Sequence, residues 1–471
     1  MKLAELKERR PVAGVGRRPT PSFWLDQVEA RPTRPELSGA IEADVCIVGG
    51  GFTGLWMAYE LKRAEPRLGV VVLEAEHVGF GASGRNGGWV IGKIAGPAHA
   101  WRRHGGPGAP LAMARAIEAT VAEIGTVVAR EGIECDWHQG GTLMVAQSPL
   151  QLARLRADVA AEREALGEDG SWQLISASEL SERVAVSRAQ GALYSPYCAR
   201  VQPAKLVMGL AAAAERLGVA VYESSRVVSV QPGLVAVARG SVAARHVLVA
   251  TEGYTANLPG RRRRLLPLNS SMIVTAPLSP EVWSRVGWSG SETLLDGAHV
   301  YTYSQRTADG RIAIGGRGVP YRFGSRTDRE GPVPAQTVSE LRARLAALFP
   351  ELRDVQVDRA WHGVLGVSRD WCPLVSFDPV SGIGFAGGYA GDGVAASNLA
   401  GRTMRDLVLG RDSELVRLPW VGAGARAWEP EPLRFVGART VYGLYRRADQ
   451  REERTGRPSG LATLASRIAG R

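Results

Sequence analysis

The first unbroken apolar run, Val45-Cys46-Ile47-Val48, ends in Gly49-Gly50-Gly51, and after residues of helical character comes a second, Val70-Val71-Val72-Leu73. Apolar tetrads bounded by glycine read as strands buried on both faces, the pattern of a parallel sheet. From Leu111 to Arg130 and from Leu152 to Leu166 apolar residues recur at helical spacing, with the strand Gly141-Thr142-Leu143-Met144-Val145-Ala146 between them. A helix opening at Gln202-Pro203-Ala204 carries Leu206, Leu210 and Ala213, and Val219 to Tyr222 and His246 to Thr251 follow as strands. Met272 to Ala276, Val300 to Ser304 and Arg311 to Gly315 read as an antiparallel sheet, followed by a helix with Val338, Leu341, Leu345 and Leu348 on one face. Gly382 to Gly388 is a last strand, running into a helix through Ala400 and Leu407. The pattern predicts an α/β protein whose nucleotide domain is assembled from three separated pieces, with an α+β substrate domain inserted between them.

The two ends differ from this body. The first forty residues are rich in Pro and Arg and read as an arm, anchored by Phe23-Trp24-Leu25. From Arg434 to Arg471 nine Arg stand against Asp449, Glu452 and Glu453, and Val441, Leu444, Tyr445 and Ala448 form a narrow apolar stripe, as do Leu461, Leu464, Ala465 and Ile468. Such helices can lie on an acidic membrane surface, but packing against the protein's own body is the preferred reading.

Composition narrows the function classes. The 471 residues suffice for two or three domains, and 45% hydrophobic with 22% charged residues is ordinary for a globular protein. The net charge of +11 is almost all Arg, since Lys occurs only as Lys2, Lys7, Lys62, Lys93 and Lys205. The charge is spread out, and its one tight run, Arg261 to Arg264, abuts apolar Leu265-Leu266 as a solvated connection, so nucleic acid is not expected as a partner. No apolar run approaches the length of a spanning helix and Met1 to Ala40 has no signal core, which leads to the expectation of a cytoplasmic protein. Cys46, Cys135, Cys198 and Cys372 form no Cys-x-x-Cys pair and the His residues show no ligand spacing, so reduced thiols and no metal are expected.

The glycine turn carries the first chemistry. Gly49 permits a tight turn after the strand, Gly51 lets the backbone approach a pyrophosphate at the helix N-terminus, and Gly54 lets that helix lie close to the strand. Glu74, twenty residues after Gly54, would accept a ribose hydroxyl. Strand, turn, helix and acid together predict a dinucleotide site.

Three further segments carry a resemblance: Gly79-Phe80-Gly81-Ala82-Ser83-Gly84-Arg85-Asn86-Gly87-Gly88, Ala250-Thr251-Glu252-Gly253, and Ala386-Gly387-Gly388-Tyr389-Ala390-Gly391-Asp392-Gly393-Val394. With the opening unit, and in this order over roughly residues 20 to 410, the chain resembles the D-amino acid oxidase superfamily of FAD-dependent oxidoreductases. Within it the chain is most similar to the branch containing gamma-glutamylputrescine oxidoreductase. The resemblance implies a Rossmann-type FAD domain built from residues 41–95, 200–265 and 355–410, a substrate domain from 96–199 and 266–354, an N-terminal arm over 1–40 and a basic helical extension over 411–471. It implies FAD contacts at Gly49, Gly51, Phe52, Thr53, Gly54, Glu74 and Ala75, then at Gly81, Ala82, Ser83, Arg85, Asn86, Gly87 and Gly88, with Val227 by the adenine. Ala250, Thr251, Gly253, Gly363, Gly388, Tyr389, Gly391, Asp392, Gly393 and Val394 complete that set. The FAD is expected to be noncovalent, because relatives with a histidyl link carry a His between the positions of Ser83 and Gly88, and the cysteinyl link would fall near His362 or Gly363; Cys372 lies later.

The implied reaction is hydride transfer from an amine-bearing carbon to flavin N5, giving an imine that water hydrolyses, with O2 as the expected acceptor and H2O2 as its product. The substrate would lie under the inserted sheet, against Met144, Met272, Tyr301, Tyr303, Trp361 and His362. Lys93, Asp392 and His362 are the catalytic candidates. In the sarcosine oxidase branch a cation near the position of Lys93 and a Lys at that of Ala395 hold the substrate carboxylate, and only the first has a counterpart here, which turns the expectation from small amino acids to a polyamine-like or secondary amine. The Lys that activates O2 in that branch has Ala313 at its position, with Lys93 as the candidate substitute. Asp392 replaces the family's common His, where it would attract an ammonium group or cap a helix. An amino acid oxidase is the alternative and needs an Arg over the flavin, either Arg317 or Arg322; a dehydrogenase with another acceptor, docked on a membrane or partner, is a second.

Overall fold

A computed structural model describes residues 21–28, 33–167, 170–316, 321–327, 333–424 and 426–470. Two eight-stranded sheets organise them. In the first, the strand Gly39–Val48 alternates in exposure until Ala43 and is buried throughout from Val45 to Val48, where it enters the core. It pairs in parallel with Val70–Leu73 on one side and Gly240–Val249 on the other, and Ala220–Tyr222 and Ile383–Gly387 extend the sheet in parallel. The helix Phe52–Ala64 covers one face, packed between Pro203–Arg216 and Gly393–Val408. Gly401 permits the second crossing, since a Cβ there would lie 2.9 Å from the Trp56 carbonyl carbon.

The second sheet runs in the order Val357–Val367, Leu266–Thr275, Ile312–Gly316, Tyr303–Arg306, Thr293–Asp296, Thr142–Ala146, Gly191–Ser195, Gln173–Ser176. Its first strand changes the expected partition of the chain. Residues 357–367 fall within the third FAD piece expected from the sequence, yet they pair along their whole length with Leu266–Thr275, so the chain leaves the second sheet only after Val367. Tyr301 falls outside the expected strand, which begins at Tyr303, because Asp296 accepts hydrogen bonds from the Thr302 amide and hydroxyl and bends the chain into a loop.

The ends are fastened to the body. Phe23–Asp26 forms one helical turn capped by Ser22, with the Trp24 indole donating to the Asn86 carbonyl at 2.9 Å and the Gln202 amide donating to the Trp24 carbonyl at 2.7 Å. The helices Leu433–Thr455 and Gly460–Ala469 pack together, and Phe435, Ala438, Val441 and Ala469 join a core with Leu266, Tyr321 and Trp371. Among the described residues no helix is long and apolar enough to cross a membrane.

Candidate active site

Parallel strands bring their carboxyl ends to one edge, and the first cleft opens there: Val48, Leu73 and Ala250, each at or just past a strand end, line it. Gly49 has φ 115°, and a Cβ there would lie 2.6 Å from the Ala250 oxygen. A Cβ on Gly54 would meet the Gly49 oxygen at 2.0 Å, so only glycine lets the helix start flush against the turn. At Gly51 the nearest atom to such a Cβ is Ser83 Oγ, 2.8 Å away, and that oxygen accepts the Phe52 amide at 2.8 Å. The Glu74 carboxylate accepts the Gly50 amide at 2.7 Å and the Glu76 amide at 3.0 Å; burial raises its pKa, although both amide bonds favour the charged form.

Most of the expected cofactor residues line this one cleft. Gly49, Gly51, Phe52, Thr53, Glu74 and Ala75 come from the opening unit, Gly81, Ala82, Ser83 and Asn86 from the second segment, Val227, Ala250 and Thr251 from the middle piece, and Tyr389, Gly391, Gly393 and Val394 from the last. Gly54, Gly88, Gly253 and Gly388 lie off it and serve backbone packing instead; a Cβ on Gly88 would strike the Val201 oxygen at 2.2 Å and one on Gly253 the Val364 side chain at 2.8 Å. Arg85 is fully buried, donates to the Phe80 carbonyl at 2.6 Å and the His362 carbonyl at 3.4 Å, and so ties the loop to the second sheet while lining the neighbouring cavity.

That neighbouring cavity, of about 580 Å³, lies between the second sheet and the segments 82–97 and 390–394, and is of the size that holds small ligands. Ala82, Asn86, Val364, Leu365, Gly391 and Val394 line both spaces, so the two meet there. Gly87, Gly363, Lys93, Asp392, Met144, Met272, Tyr301 and Tyr303 line the second. Tyr303 donates to or accepts from Ser270 Oγ at 3.0 Å, and its ring occupies the space that a Cβ on Gly315 would need. Asp392 sits at the start of Gly393–Val408, where its side chain makes no capping bond, and it is among the residues that line this cavity. Burial raises the Asp158 and Glu162 carboxyls and the charge of Lys93 pulls both back down, so Lys93 and Asp158, which both line this cavity, are coupled electrostatically.

His362 and Trp361 do not line either space. His362 pairs across the sheet with Ser271, its Nδ1 3.2 Å from that hydroxyl; Ser270 and Met272 line the cavity and Ser271 between them does not, so the alternation of that strand puts the Ser271–His362 pair on the opposite face. Trp361 is covered by Phe23 and Trp24, with ring centroids 6.3 and 5.9 Å away, and donates to the Arg85 carbonyl at 2.9 Å. Arg322 lies off both spaces as well, and Arg317 lies outside the described residues.

One cleft residue had no role in the reading of the sequence. Glu252, just after the strand Gly240–Val249, accepts the amides of Gly366, Gly388 and Tyr389, the last two at 3.0 and 2.9 Å, and so clamps three chain segments behind the cleft. Its place in Ala250-Thr251-Glu252-Gly253 was the available signal. Burial raises its pKa from 4.5 to about 7 against the pull of those amides. A carboxyl raised in the folded state makes folding bind a proton, so the stability it contributes is fully present below about pH 4.5 and is lost as pH rises to about 7. The folded state is therefore expected to lose roughly 2–4 kcal/mol of stability over this window, read by thermal unfolding, and Glu252→Gln to flatten that slope; an unchanged slope would remove Glu252 as its source.

A family model described as FAD dependent oxidoreductase matches residues 44–407. Gamma-glutamylputrescine oxidoreductase from Escherichia coli is 33% identical over 405 residues, 83% of this chain and 89% of that protein. Among solved structures, glycine oxidase from Geobacillus kaustophilus superposes with a TM-score of 0.65 at 23% identity, covering 79% of this chain and 96% of the other. L-proline dehydrogenase from P. horikoshii gives the same TM-score at 17% identity, covering 82% and 98%.

Proposed function

Because the chain belongs to the FAD dependent oxidoreductase family, whose members here act on amine and amino acid CH-NH groups, we propose that it oxidises amines, with O2 as the electron acceptor. The cleft fits FAD on its own terms: a cradle at Gly51 and Ser83 that a side chain would fill, a helix N-terminus beside it, and the Glu74 carboxylate at the next strand end. No Cys or His is among the residues that line the cleft, and Cys372 is buried with its thiol pKa pushed up, which supports a noncovalent cofactor. When bound, FAD would supply the two-electron acceptor for the hydride that leaves the amine-bearing carbon.

The observation that carries the amine reading is Asp392 on the substrate cavity wall, at the segment where this cavity meets the FAD cleft. Its carboxylate draws in an ammonium group and offers an acceptor for the proton that must leave nitrogen before the lone pair can assist C–H cleavage. The arginines of this wall are already engaged: Arg154 with Glu452 and the Gly297 carbonyl, Arg85 with two backbone carbonyls. Both are tied to protein groups, and a substrate carboxylate would have to compete with these bonds. Met144, Met272, Leu295 and Trp89 exclude water around the reacting carbon, and water admitted afterwards hydrolyses the imine to a carbonyl.

With a reactive amine in air, the holoenzyme is expected to consume one O2 and release one H2O2 per carbonyl formed, read by an oxygen electrode with a peroxidase assay. Carbonyl production that requires an added quinone or dye acceptor would refute the O2 assignment and leave the amine chemistry standing.

A further inference from the structure

The helices Leu433–Thr455 and Gly460–Ala469 come after residue 407, where the family match ends, yet they hold three pieces of the substrate cavity wall. The loop from Gly297 to Tyr301 is the first. Its His299 and Val300 amides donate to the two oxygens of Asp449 at 2.8 and 3.0 Å, and the His299 ring stacks on Tyr445 at 5.9 Å. Arg154 is the second piece: it reaches from the helix Pro149–Leu166 to Glu452 with one nitrogen and to the Gly297 carbonyl with another at 2.7 Å. Glu452 also lies 3.1 Å from His299 Nε2 and is only 9% exposed, so the cluster is closed, with Arg154 already supplying the cation. Trp371 is the third, its indole donating to the Ala469 carbonyl at 3.0 Å. Arg154, Gly297, Ala298, His299, Tyr301 and Trp371 all line the cavity.

We propose that the C-terminal extension is the roof of the substrate cavity, and that Asp449 and Glu452 are positioning residues which fix the loop from Gly297 to Tyr301 and thereby limit the size of the amine admitted. This rests on the reading of the cavity as an amine site. The two loop amides have their acceptor only as long as the helix stays in place, and one carboxylate holds both, so removing it frees the wall without touching the FAD cleft. Membrane docking by the same helix is a poorer account of Asp449 and Glu452, which are spent on the body.

The test uses full-length, flavin-loaded protein carrying Asp449→Ala, with Asp449→Asn, which keeps one acceptor, as the conservative variant. Anaerobic reduction of the flavin is followed with butylamine and with N-benzylbutylamine, and solvent access to the flavin by iodide quenching of its fluorescence. For Asp449→Ala the rate ratio of the bulky to the small amine is expected to rise about tenfold and iodide quenching to increase, with Asp449→Asn in between. A ratio and quenching equal to native, at equal flavin content, would overturn the roof, as would increased quenching with an unchanged ratio. If Asp449→Ala fails to load flavin, Glu452→Gln is read in the same way. Should neither amine reduce the native enzyme, the amine reading is what has failed, and iodide quenching still decides whether the extension closes the cavity.

Discussion

Gly51→Val is expected to purify as a folded but colourless protein. The backbone at Gly51 has φ −90°, which any residue adopts, so the turn itself is not strained by the substitution. The space is the constraint: a Cβ there already lies 2.8 Å from Ser83 Oγ, and the two methyls of valine extend into the cleft at the N-terminus of Phe52–Ala64, where the pyrophosphate is to be held. Ser83 must yield or the ligand must. Overpacking of this kind costs about 1–3 kcal/mol before any loss of amide contacts, and each 1.4 kcal/mol is about tenfold in affinity, so flavin content should fall below about a tenth of native. The visible spectrum measures it, with thermal unfolding as the check on folding. A valine variant with normal flavin content would show that the cradle lies elsewhere.

The second large effect is expected on substrate capture. Asp392→Asn keeps the shape of the cavity wall and removes one negative charge at the segment shared with the FAD cleft. Charge-assisted contacts are worth about 1.5–3 kcal/mol, so binding of a cationic amine should weaken about ten- to a hundredfold. Reoxidation of the reduced enzyme should change by less than about twofold, since no substrate charge is then in play. Stopped-flow measurement of the two half-reactions separates them, and equal losses in both would reduce Asp392 to a structural residue.

The part of the fold legible in the sequence was the part written in local pattern. The glycine turn after Val48 and the acid after Leu73 are backbone requirements, so the residues that meet them are few in kind and fixed in spacing. Which sheet a strand joins is a long-range matter: Val357–Val367 follows a helix and precedes the closing FAD segment, and nothing in its composition says that it pairs with Leu266–Thr275. The same limit misplaced His362, since one step along that strand decides which face a side chain occupies, and Trp361 is kept from the cavity by the distant Phe23 and Trp24. Glu252 and the Asp449–Glu452 fastening were illegible for a related reason: a buried carboxylate that accepts distant amides looks, in sequence, like any other acid.

In the proposed reaction an amine-bearing carbon in the cavity lined by Asp392 gives up two electrons to the bound flavin. Mixing the anaerobic holoenzyme with a panel of primary, secondary and polyamines tests this without assuming an acceptor. The predicted result is loss of the flavin's visible absorption band with a subset of the amines, with one carbonyl formed per flavin reduced and with much slower bleaching by D- and L-amino acids. Bleaching by amino acids alone, or by no compound of either panel in protein that carries a full complement of flavin, would contradict it.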